Sequence, residues 1–369
     1  MRNRLRIFLV LMLATTLPFS VAASQLTLPQ GVMTKIAPWK AHDNREKPLI
    51  AVVGENTFTE LTDFVIPYAL LKEANVADVF TVSIRPGPIQ LFPAFKVEAD
   101  MTANHFDRLY PLGADYILVP AVHETDNPEL LRWIQEQQAK GSTIVGICDG
   151  VWVLGHAGLL DGHYATGHWY SREDLEEQYP KASWVQDRRY VADGKIVTTT
   201  GVTASVPVTL ALIEAIAGEK KAATLAAQVG ASDWSVKHDS RAFALKTSNV
   251  VTVALNYVSF WQHDTYGIQV STGDDDIKLA FSADSYSRTY QTQVFSYAKD
   301  MNPVKLKSGL MLLPDRVEGR NENVDRWISL IDNETAMETL NRTLRDIGDT
   351  YGFRTAALVA LQLEYKVDN

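Results

Sequence analysis

Cysteine and positive charge are both scarce in this chain of 369 residues. It contains a single cysteine, Cys148, so no disulfide can form within the chain. Its 35 lysine and arginine residues are outnumbered by 44 aspartate and glutamate residues, which gives a formal net charge of -9. A chain this acidic lacks the attraction that nucleic acids and anionic membranes exert on basic proteins. We therefore expect no nucleic acid and no membrane surface as its main partner.

Long apolar runs are absent after the N-terminus. Residues 1–23 combine three arginines among the first six positions, an apolar segment over residues 7–17 and small residues at 21–23. This is the pattern of a cleaved secretory signal peptide. No later segment is long and apolar enough to span a bilayer. We expect an exported, soluble protein, periplasmic in a Gram-negative source and otherwise secreted, with no membrane association after cleavage.

The rest of the chain is organised in three parts. Residues 24–47 are interpreted as an irregular lead-in, residues 48–218 as an α/β domain, and residues 219–369 as a C-terminal extension with α+β character. Within the α/β domain, short apolar strands alternate with helices at the spacing of βαβ units, which predicts a parallel sheet flanked by helices. The extension contains no recognisable helix-turn-helix signature, basic patch or repeat. Its expected elements are strands over residues 277–281 and 292–297 and helices over residues 333–347 and 354–367.

The segment 142–155 joins a strand directly to a helix, with Cys148 at the break. An apolar, strand-like run over residues 144–147 is interrupted by Asp149 and Gly150, and apolar residues then recur at helical spacing. A nucleophile on such a sharp strand-to-helix turn is the geometry of a nucleophile elbow. The N–H groups and dipole of the helix N-terminus favour a thiolate there. A buried, unreactive core cysteine is the alternative interpretation.

Five motifs follow one another in the α/β domain. They are Asp63-Phe-Val-Ile-Pro67, Gly146-Ile-Cys148-Asp-Gly150, Ala157-Gly-Leu-Leu-Asp-Gly162, Ala165-Thr-Gly-His168-Trp169 and the segment from Tyr190 to Ala204. In this order they resemble the ThiJ/PfpI superfamily, which is related to class I glutamine amidotransferases, and above all its isonitrile hydratase and amidase-like branch. The resemblance covers just under half of the chain. It implies a flavodoxin-like three-layer sandwich with a parallel sheet.

The resemblance also implies roles for single residues. Cys148 is the expected nucleophile, and Asp63 is expected to contact its sulfur as a carboxylic acid or a carboxylate. In members that hydrate isonitriles, the corresponding cysteine and aspartate carry the reaction, and His168 matches a histidine that follows the elbow in many members. Negative charge that develops on the substrate needs a donor, which the Asp149 N–H can supply. Either Asp63 or His168 then delivers a proton and activates water.

Two positions depart from the family pattern. Ala121 and Val122 stand where the family usually has Gly-Gly, so a second oxyanion donor at Val122 is in question. Asp149 stands where the family usually has a small or neutral residue, and its charge raises the thiol pKa unless it faces the helix N-terminus. His123 lies beyond them at the carboxyl edge of the predicted sheet, where ligands bind in such folds, and is a candidate site-lining residue.

These observations predict a cysteine-dependent hydrolase or hydratase that acts on a small amide or isonitrile-like compound, with no metal and no cofactor. The alternative is a non-catalytic protein of the same fold that binds a ligand or senses oxidative stress through Cys148. The extension either covers the site opening or contributes to a homodimer. Glu55 and Glu60 are interpreted as solvated side chains.

Overall fold

Residues 35–366 are described by a computed structural model, apart from residues 42–44, 245–248, 250–251, 254–255, 257–262 and 320–322. The predicted signal peptide at residues 1–23 and much of the lead-in lie outside the described residues. The described residues belong to one compact unit. None of the described helices is long and apolar enough to cross a membrane.

The described chain contains the following elements. The strands are β1 (Leu49–Gly54), β2 (Thr59–Glu60), β3 (Asp78–Ser83), β4 (Ile89–Phe92), β5 (Lys96–Glu98), β6 (Met101–Thr102), β7 (Tyr116–Val119), β8 (Thr143–Gly146), β9 (Tyr164–Ala165), β10 (Ser183–Trp184), β11 (Tyr190–Asp193), β12 (Ile196–Thr199), β13 (Asp264–Gln269), β14 (Thr292–Ala298), β15 (Val304–Lys305), β16 (Met311–Leu313), β17 (Arg316–Val317) and β18 (Arg326–Ile328). The helices are α1 (Leu61–Ala74), α2 (Ala103–Leu109), α3 (Pro128–Ala139), α4 (Gly150–His156), α5 (Arg172–Gln178), α6 (Ser205–Ala217), α7 (Glu219–Val229), α8 (Asp276–Ser287), α9 (Ala336–Tyr351) and α10 (Phe353–Gln362). Short 3₁₀ turns lie at Val202–Ala204 and Ser240–Ala242.

A seven-stranded sheet with the order β11-β12-β8-β7-β1-β3-β6 forms the centre of the fold. Its neighbouring strands run parallel, except for the β11–β12 hairpin that turns at Gly194. Strands β3, β1, β7, β8 and β12 have the order 2-1-3-4-5 that defines flavodoxin-like winding. The predicted flavodoxin-like α/β fold is therefore confirmed.

Strand β1 explains why helices cover both faces of this sheet. Its side chains alternate, so that Ile50 and Val52 enter one apolar cluster while Leu49, Ala51 and Val53 enter another. The first cluster includes apolar side chains of α1 and α6, and the second includes those of α3 and α4. A strand that is apolar on both faces is stable only between two helical layers, which gives the three-layer sandwich.

The C-terminal extension builds a second parallel sheet with the order β17-β14-β13-β18. Strand β14 and helices α9 and α10 match the expected elements. Residues 277–281, however, lie inside α8, so the prediction of a strand there is wrong. Every residue of α8 from Asp276 to Tyr286 is buried, and a helix without a solvated face lacks the periodicity that distinguishes it from a buried strand.

This second sheet repeats half of the central one. The order β18-β13-β14-β17 corresponds to β7-β1-β3-β6, and the hairpin β15–β16 corresponds to β4–β5. The pairing of Ile89 with Val97 recurs as the pairing of Val304 with Leu312, a separation of 215 residues (304 − 89). The same separation relates the starts of α1 and α8 (276 − 61) and of β6 and β17 (316 − 101). We call residues 49–119 the first repeat and residues 264–328 the second repeat.

Local hydrogen bonds recur at the same separation. The Thr81 N–H and hydroxyl both donate to Asp100, and the Ser296 N–H and hydroxyl both donate to Asp315. The expectation that the extension holds no repeat is therefore wrong. Backbone pairing and burial are retained while most side chains differ, so the sequence pattern does not reveal the duplication. The identical pairs between the starts of α1 and α8 and the ends of β6 and β17 are Val79/Val294, Phe80/Phe295, Pro88/Pro303, Leu91/Leu306 and Asp100/Asp315.

The two repeats meet across an approximate two-fold axis. Strand β5 pairs antiparallel with β16, and Val97 lies opposite its own counterpart Leu312. Lys96 lies opposite Leu313, which is the counterpart of Glu98. Helices α1 and α8 also pack against each other. Such self-matching contacts are characteristic of isologous subunit interfaces, and here both sides belong to one chain.

Candidate functional site

Cys148 occupies the turn between β8 and α4, at the carboxyl edge of the central sheet. Its backbone φ is 53°, in the left-handed region that residues other than glycine rarely adopt. Its N–H donates to the Thr199 hydroxyl over 3.0 Å, which ties the turn to the end of β12. Gly150 permits the tight packing, because a Cβ there would lie 2.1 Å from the Val119 carbonyl oxygen. The strand–turn–helix geometry of an elbow is present.

The thiol of Cys148 is buried, with the residue only 5% exposed. Burial raises the pKa of this thiol well above its usual range, and the negative charges of Asp63, Asp149 and Glu60 raise it further. The Asp149 N–H opposes these effects by hydrogen bonding. The resting group is therefore a neutral thiol and not the thiolate expected from the helix N-terminus, because burial and three carboxyl groups outweigh one short helix.

Asp63 lies in the first turn of α1 and is fully buried, with 0% exposure. One carboxyl oxygen accepts the Ala121 N–H over 3.3 Å and the other accepts the Ser205 hydroxyl over 3.1 Å. Burial raises the pKa of Asp63 to about 7, although these hydrogen bonds and the Arg288 charge lower it. Near neutral pH this carboxyl group can therefore both donate and accept a proton.

The Ala121–Val122 departure has a structural consequence. The Ala121 N–H is occupied by the Asp63 carboxyl group. Val122 is buried and pairs as an isolated antiparallel bridge with Thr59, which holds this segment against the start of α1. The role of Val122 as a second oxyanion donor stays a prediction.

The remaining residues of this edge have different surroundings. The exposed His123 ring lies 4.9 Å from the Phe58 ring and 5.2 Å from the Phe92 ring, centroid to centroid. Asp149 does not cap α4, and its Oδ1 is buried without a hydrogen-bond partner among the described residues. Glu55 is buried and accepts backbone N–H groups of the next turn, so its interpretation as solvated is wrong.

His168 comes after β9 and lies against Gly201 and Glu364. A Cβ on Gly201 would lie 2.6 Å from the His168 ring and 2.4 Å from the Glu364 carboxylate. His168 is 9% exposed, and neither ring nitrogen has a hydrogen-bond partner in the described part of the chain. The carboxyl groups that act on the Cys148 thiol are Asp63, Asp149 and Glu60, around the start of α1 and the turn before α4. The catalytic role of His168 stays a prediction.

Two charged residues of the site were missed from the sequence. Glu60, interpreted as solvated, is 8% exposed and caps α1 by accepting the Asp63 N–H over 2.6 Å. Glutamate is not among the preferred N-cap residues, so the sequence carried no clear signal of this cap. Arg288, at the end of α8, donates to Glu60 and to Asp284, each over 2.7 Å. No sequence signal places Arg288 here, because it comes from the second repeat.

The last residues of the described chain cover the edge beside His168. The Trp169 indole N–H donates to the Leu361 carbonyl oxygen over 2.9 Å, and the Thr203 N–H donates to Leu363 over 3.1 Å. Among the described residues between 35 and 366, no group of three or more histidine, cysteine, aspartate or glutamate side chains is arranged to hold a metal ion.

The sequence profile of the DJ-1/PfpI family matches residues 49–215. Through these residues, the chain belongs to the DJ-1/PfpI family. The resemblance derived from the five motifs is thereby confirmed. The second repeat lies outside the DJ-1/PfpI match.

Curated relatives of this DJ-1/PfpI chain have different named functions. It is 36% identical over 132 residues to the HTH-type transcriptional regulator CdhR of Pseudomonas aeruginosa, which covers 35% of this chain and 39% of the regulator. It is 36% identical over 93 residues to an isonitrile hydratase of Pseudomonas putida, which covers 25% of this chain and 40% of the hydratase. It is 26% identical over 154 residues to the deglycase PfpI of Pyrococcus furiosus, which covers 41% of this chain and 88% of the deglycase.

The chain spans only 39% to 50% of the length of the regulators that it matches. The activities, substrates and partners of those whole proteins are therefore proposals for this chain. Because these relatives are named as HTH-type regulators, the expectation that no nucleic acid binds here is not confirmed and stays a prediction. Among solved structures, a DJ-1 superfamily protein from Salmonella typhimurium aligns with a TM-score of 0.44 at 20% identity, over 50% of this chain and 98% of its own.

Proposed function

We propose that this protein is an exported, cysteine-dependent hydratase or hydrolase of a small carbon–nitrogen compound. The observation that carries this proposal is the buried pair of Cys148 and Asp63. The thiol is neutral at rest, and the neighbouring carboxyl group has a pKa of about 7. Above that pH the pair holds one proton, which either group can carry during a reaction. The similarity to an isonitrile hydratase and to a deglycase supports the reaction class.

Hydration of an isonitrile, R–N≡C, needs only this pair and water. The Asp63 carboxylate accepts the Cys148 proton, the sulfur bonds to the isonitrile carbon, and the same proton is delivered to that carbon. The product of this step is a thioimidate, R–N=CH–S–Cys. Water then adds to its carbon, the C–S bond breaks and the thiol regains a proton. One water is consumed, and an N-substituted formamide is released.

The supply of hydrogen-bond donors favours an isonitrile over an amide. Attack on an amide builds negative charge on a carbonyl oxygen, which usually needs two donors. Here the Ala121 N–H is already bound to Asp63, so an amide would depend on the Asp149 N–H together with the Val122 N–H, whose role is a prediction. Addition to an isonitrile carbon builds no oxyanion in its first step. His168, with both ring nitrogens unpartnered in the described structure, is the candidate to orient the water.

Oxidative-stress sensing fits this site less well than catalysis. Sensor cysteines are accessible and have a lowered pKa, whereas the Cys148 thiol is buried and its pKa is raised. Non-catalytic binding of a small molecule is the second candidate function, favoured by the low exposure of Cys148.

The decisive experiment is a turnover assay of the mature protein over isonitriles, amides and glyoxal adducts. We expect isonitrile hydration to rise as the pH increases through about 7, since Asp63 must be ionised to accept the thiol proton. Cys148→Ser should abolish it. Equal turnover before and after that substitution would contradict the enzyme proposal, and tight binding without turnover would support the second candidate. Mass spectrometry of protein recovered outside the cytoplasm should show a chain that begins at Ser24.

A further inference from the structure

Arg288 reaches the Cys148 site from the second repeat. It comes directly after α8, which packs beside α1, and its side chain is 13% exposed. The guanidinium group donates to Glu60 and to the fully buried Asp284, each over 2.7 Å. An arginine held by carboxylates on two sides has a fixed orientation, because its rigid fork of donors is occupied.

Glu60 links this arginine to Asp63. Its carboxylate accepts the Asp63 N–H over 2.6 Å and the Thr62 hydroxyl over 2.9 and 3.0 Å. These bonds set the first turn of α1, from which the Asp63 side chain projects. Asp63 is then held from the other side by the Ser205 hydroxyl. A change at Glu60 is therefore transmitted to the acid of the reacting pair.

Arg288 also supplies positive charge to an acidic cluster. Negative charge acts on the Cys148 thiol from Glu60 just before α1, from Asp63 within α1 and from Asp149 just before α4, and Asp284 of α8 acts on Glu60. Burial lowers the pKa of Arg288, but the charges of Asp284 and Glu60 outweigh burial and keep it above its usual value. The guanidinium group is therefore permanently charged where the thiol and Asp63 exchange a proton.

The related position across the two-fold axis is built differently. The counterpart of Arg288 in the first repeat is Glu73 (288 − 73 = 215), and the counterpart of Glu60 is Asp275 (275 − 60 = 215). Two acids cannot pair directly, and Lys307 bridges them at 2.9 Å and 3.0 Å. A direct ion pair between the end of one helix and the start of the other, here Arg288 and Glu60, is thus present only on the Cys148 side of the described pair of helices.

We propose that Arg288 is the positioning residue through which the second repeat completes the Cys148 site within a single chain. It holds Glu60 at the start of α1, and Glu60 in turn holds Asp63 beside the thiol. An effect of Arg288 on turnover rests on the proposed function, whereas its effect on the titration of the Cys148 thiol does not.

The test is a titration of Cys148 by the ultraviolet absorbance of its thiolate. Because Cys148 is the single cysteine, subtraction of the Cys148→Ser spectrum isolates this signal from tyrosine ionisation. For Arg288→Met we expect the midpoint to rise by about one pH unit or more, as for loss of a neighbouring opposite charge. Arg288→Lys should restore most of the shift. Arg326→Met, which removes an arginine paired with Asp346 elsewhere in the second repeat, should leave the midpoint unchanged.

Glu60→Gln should shift the titration midpoint of Cys148 in the opposite direction. It also provides a second test if Arg288→Met does not fold. It keeps the cap geometry but removes a negative charge that raises the thiol pKa, so we expect the midpoint to fall. Circular dichroism of each variant separates folding defects from electrostatic ones. An unchanged midpoint in folded Arg288→Met or in folded Glu60→Gln, or shifts of equal sign in these two variants, would overturn the proposal. Turnover that survives Cys148→Ser would instead defeat the proposed function and leave this titration to decide the role of Arg288.

Discussion

The two repeats share a backbone and place different chemistry at the same positions. Asp63 stands in the first turn of α1, and Lys278 stands at the matching position of α8 (278 − 63 = 215). Both residues are buried. Asp63 has a pKa of about 7 beside a thiol, whereas the Lys278 ammonium donates to the carbonyl oxygens of Ile331 and Asp332. The same backbone position therefore holds an acid–base residue in the first repeat and a structural hydrogen-bond donor in the second.

The two repeats differ in this way because they lead into different segments of the chain. After β7 the first repeat continues into α3, β8 and the elbow with Cys148. After β18 the described chain continues into two helices, α9 and α10, so the second sheet receives no strand that corresponds to β8. The second repeat therefore has no nucleophile to serve. Its α8 buries one side of α1, and its Arg288 enters the site of the first repeat.

Removal of residues 231–369 is expected to have the largest effect. Every residue of α1 from Leu61 to Leu71 is buried, so the loss of α8 would expose apolar surface together with the Glu60 carboxyl group. We expect the shortened chain to aggregate or to melt without a cooperative transition, measured by circular dichroism against the mature full-length protein. A cooperative transition would contradict this and would support the predicted domain boundary near residue 218.

Separate substitutions of the matched residues Asp63 and Lys278 should distinguish an effect on turnover from an effect on stability. We expect Asp63→Asn to lower turnover by about 10²–10⁴-fold, because the thiol loses its proton acceptor. Lys278→Met should keep turnover but lower the free energy of unfolding by about 1–3 kcal/mol, since two buried carbonyl oxygens lose their donor. Steady-state kinetics and chemical denaturation measure the two effects. Loss of turnover in Lys278→Met with retained stability would show that the second repeat acts on catalysis at this position too.

The stability of the first repeat should depend on pH through Asp63. Its pKa rises from 3.8 to about 7 on folding, so ionisation is less favourable in the folded protein. The resulting destabilisation is absent below about pH 4, grows between about pH 4 and 7, and is constant above. Asp63→Asn removes it, and we expect this variant to gain up to about 4 kcal/mol over the wild type at pH 8. A difference in the free energy of unfolding between the two proteins that stays constant from pH 4 to 8 would contradict this. The Cys148→Ser variant controls for ionisation of the thiol.

The smallest effect tests the similarity of the repeats. Asp100 and Asp315 each accept an N–H and a hydroxyl, from Thr81 and from Ser296. We expect Asp100→Ala and Asp315→Ala to lower the free energy of unfolding by similar amounts, about 1–3 kcal/mol each. Turnover should change little in either variant. A loss confined to one of them would mean that the two turns contribute unequally to the stability of the folded chain.

Much of the central fold could be predicted because its signals are local. The apolar run before Cys148, the break at Asp149-Gly150 and the helical spacing after it lie within 16 residues (157 − 142 + 1), so neighbouring residues define the turn. The Asp193-Gly194 hairpin is equally local. The prediction of a thiolate was wrong because the burial of Cys148 and the charges of Asp63 and Glu60 come from residues that are distant in sequence.

Local sequence patterns were enough to predict the α/β domain and the turn that presents Cys148, and the family resemblance carried by the five motifs implied the pairing of this cysteine with Asp63. These features depend on periodicity and on short motifs, which act between neighbours along the chain. The neutral state of the thiol, the burial of Glu60 and the approach of Arg288 from the second repeat depend instead on how the chain packs in three dimensions. Desolvation and the alignment of two elements 215 residues apart arise when distant segments pack together, and no local pattern encodes that packing.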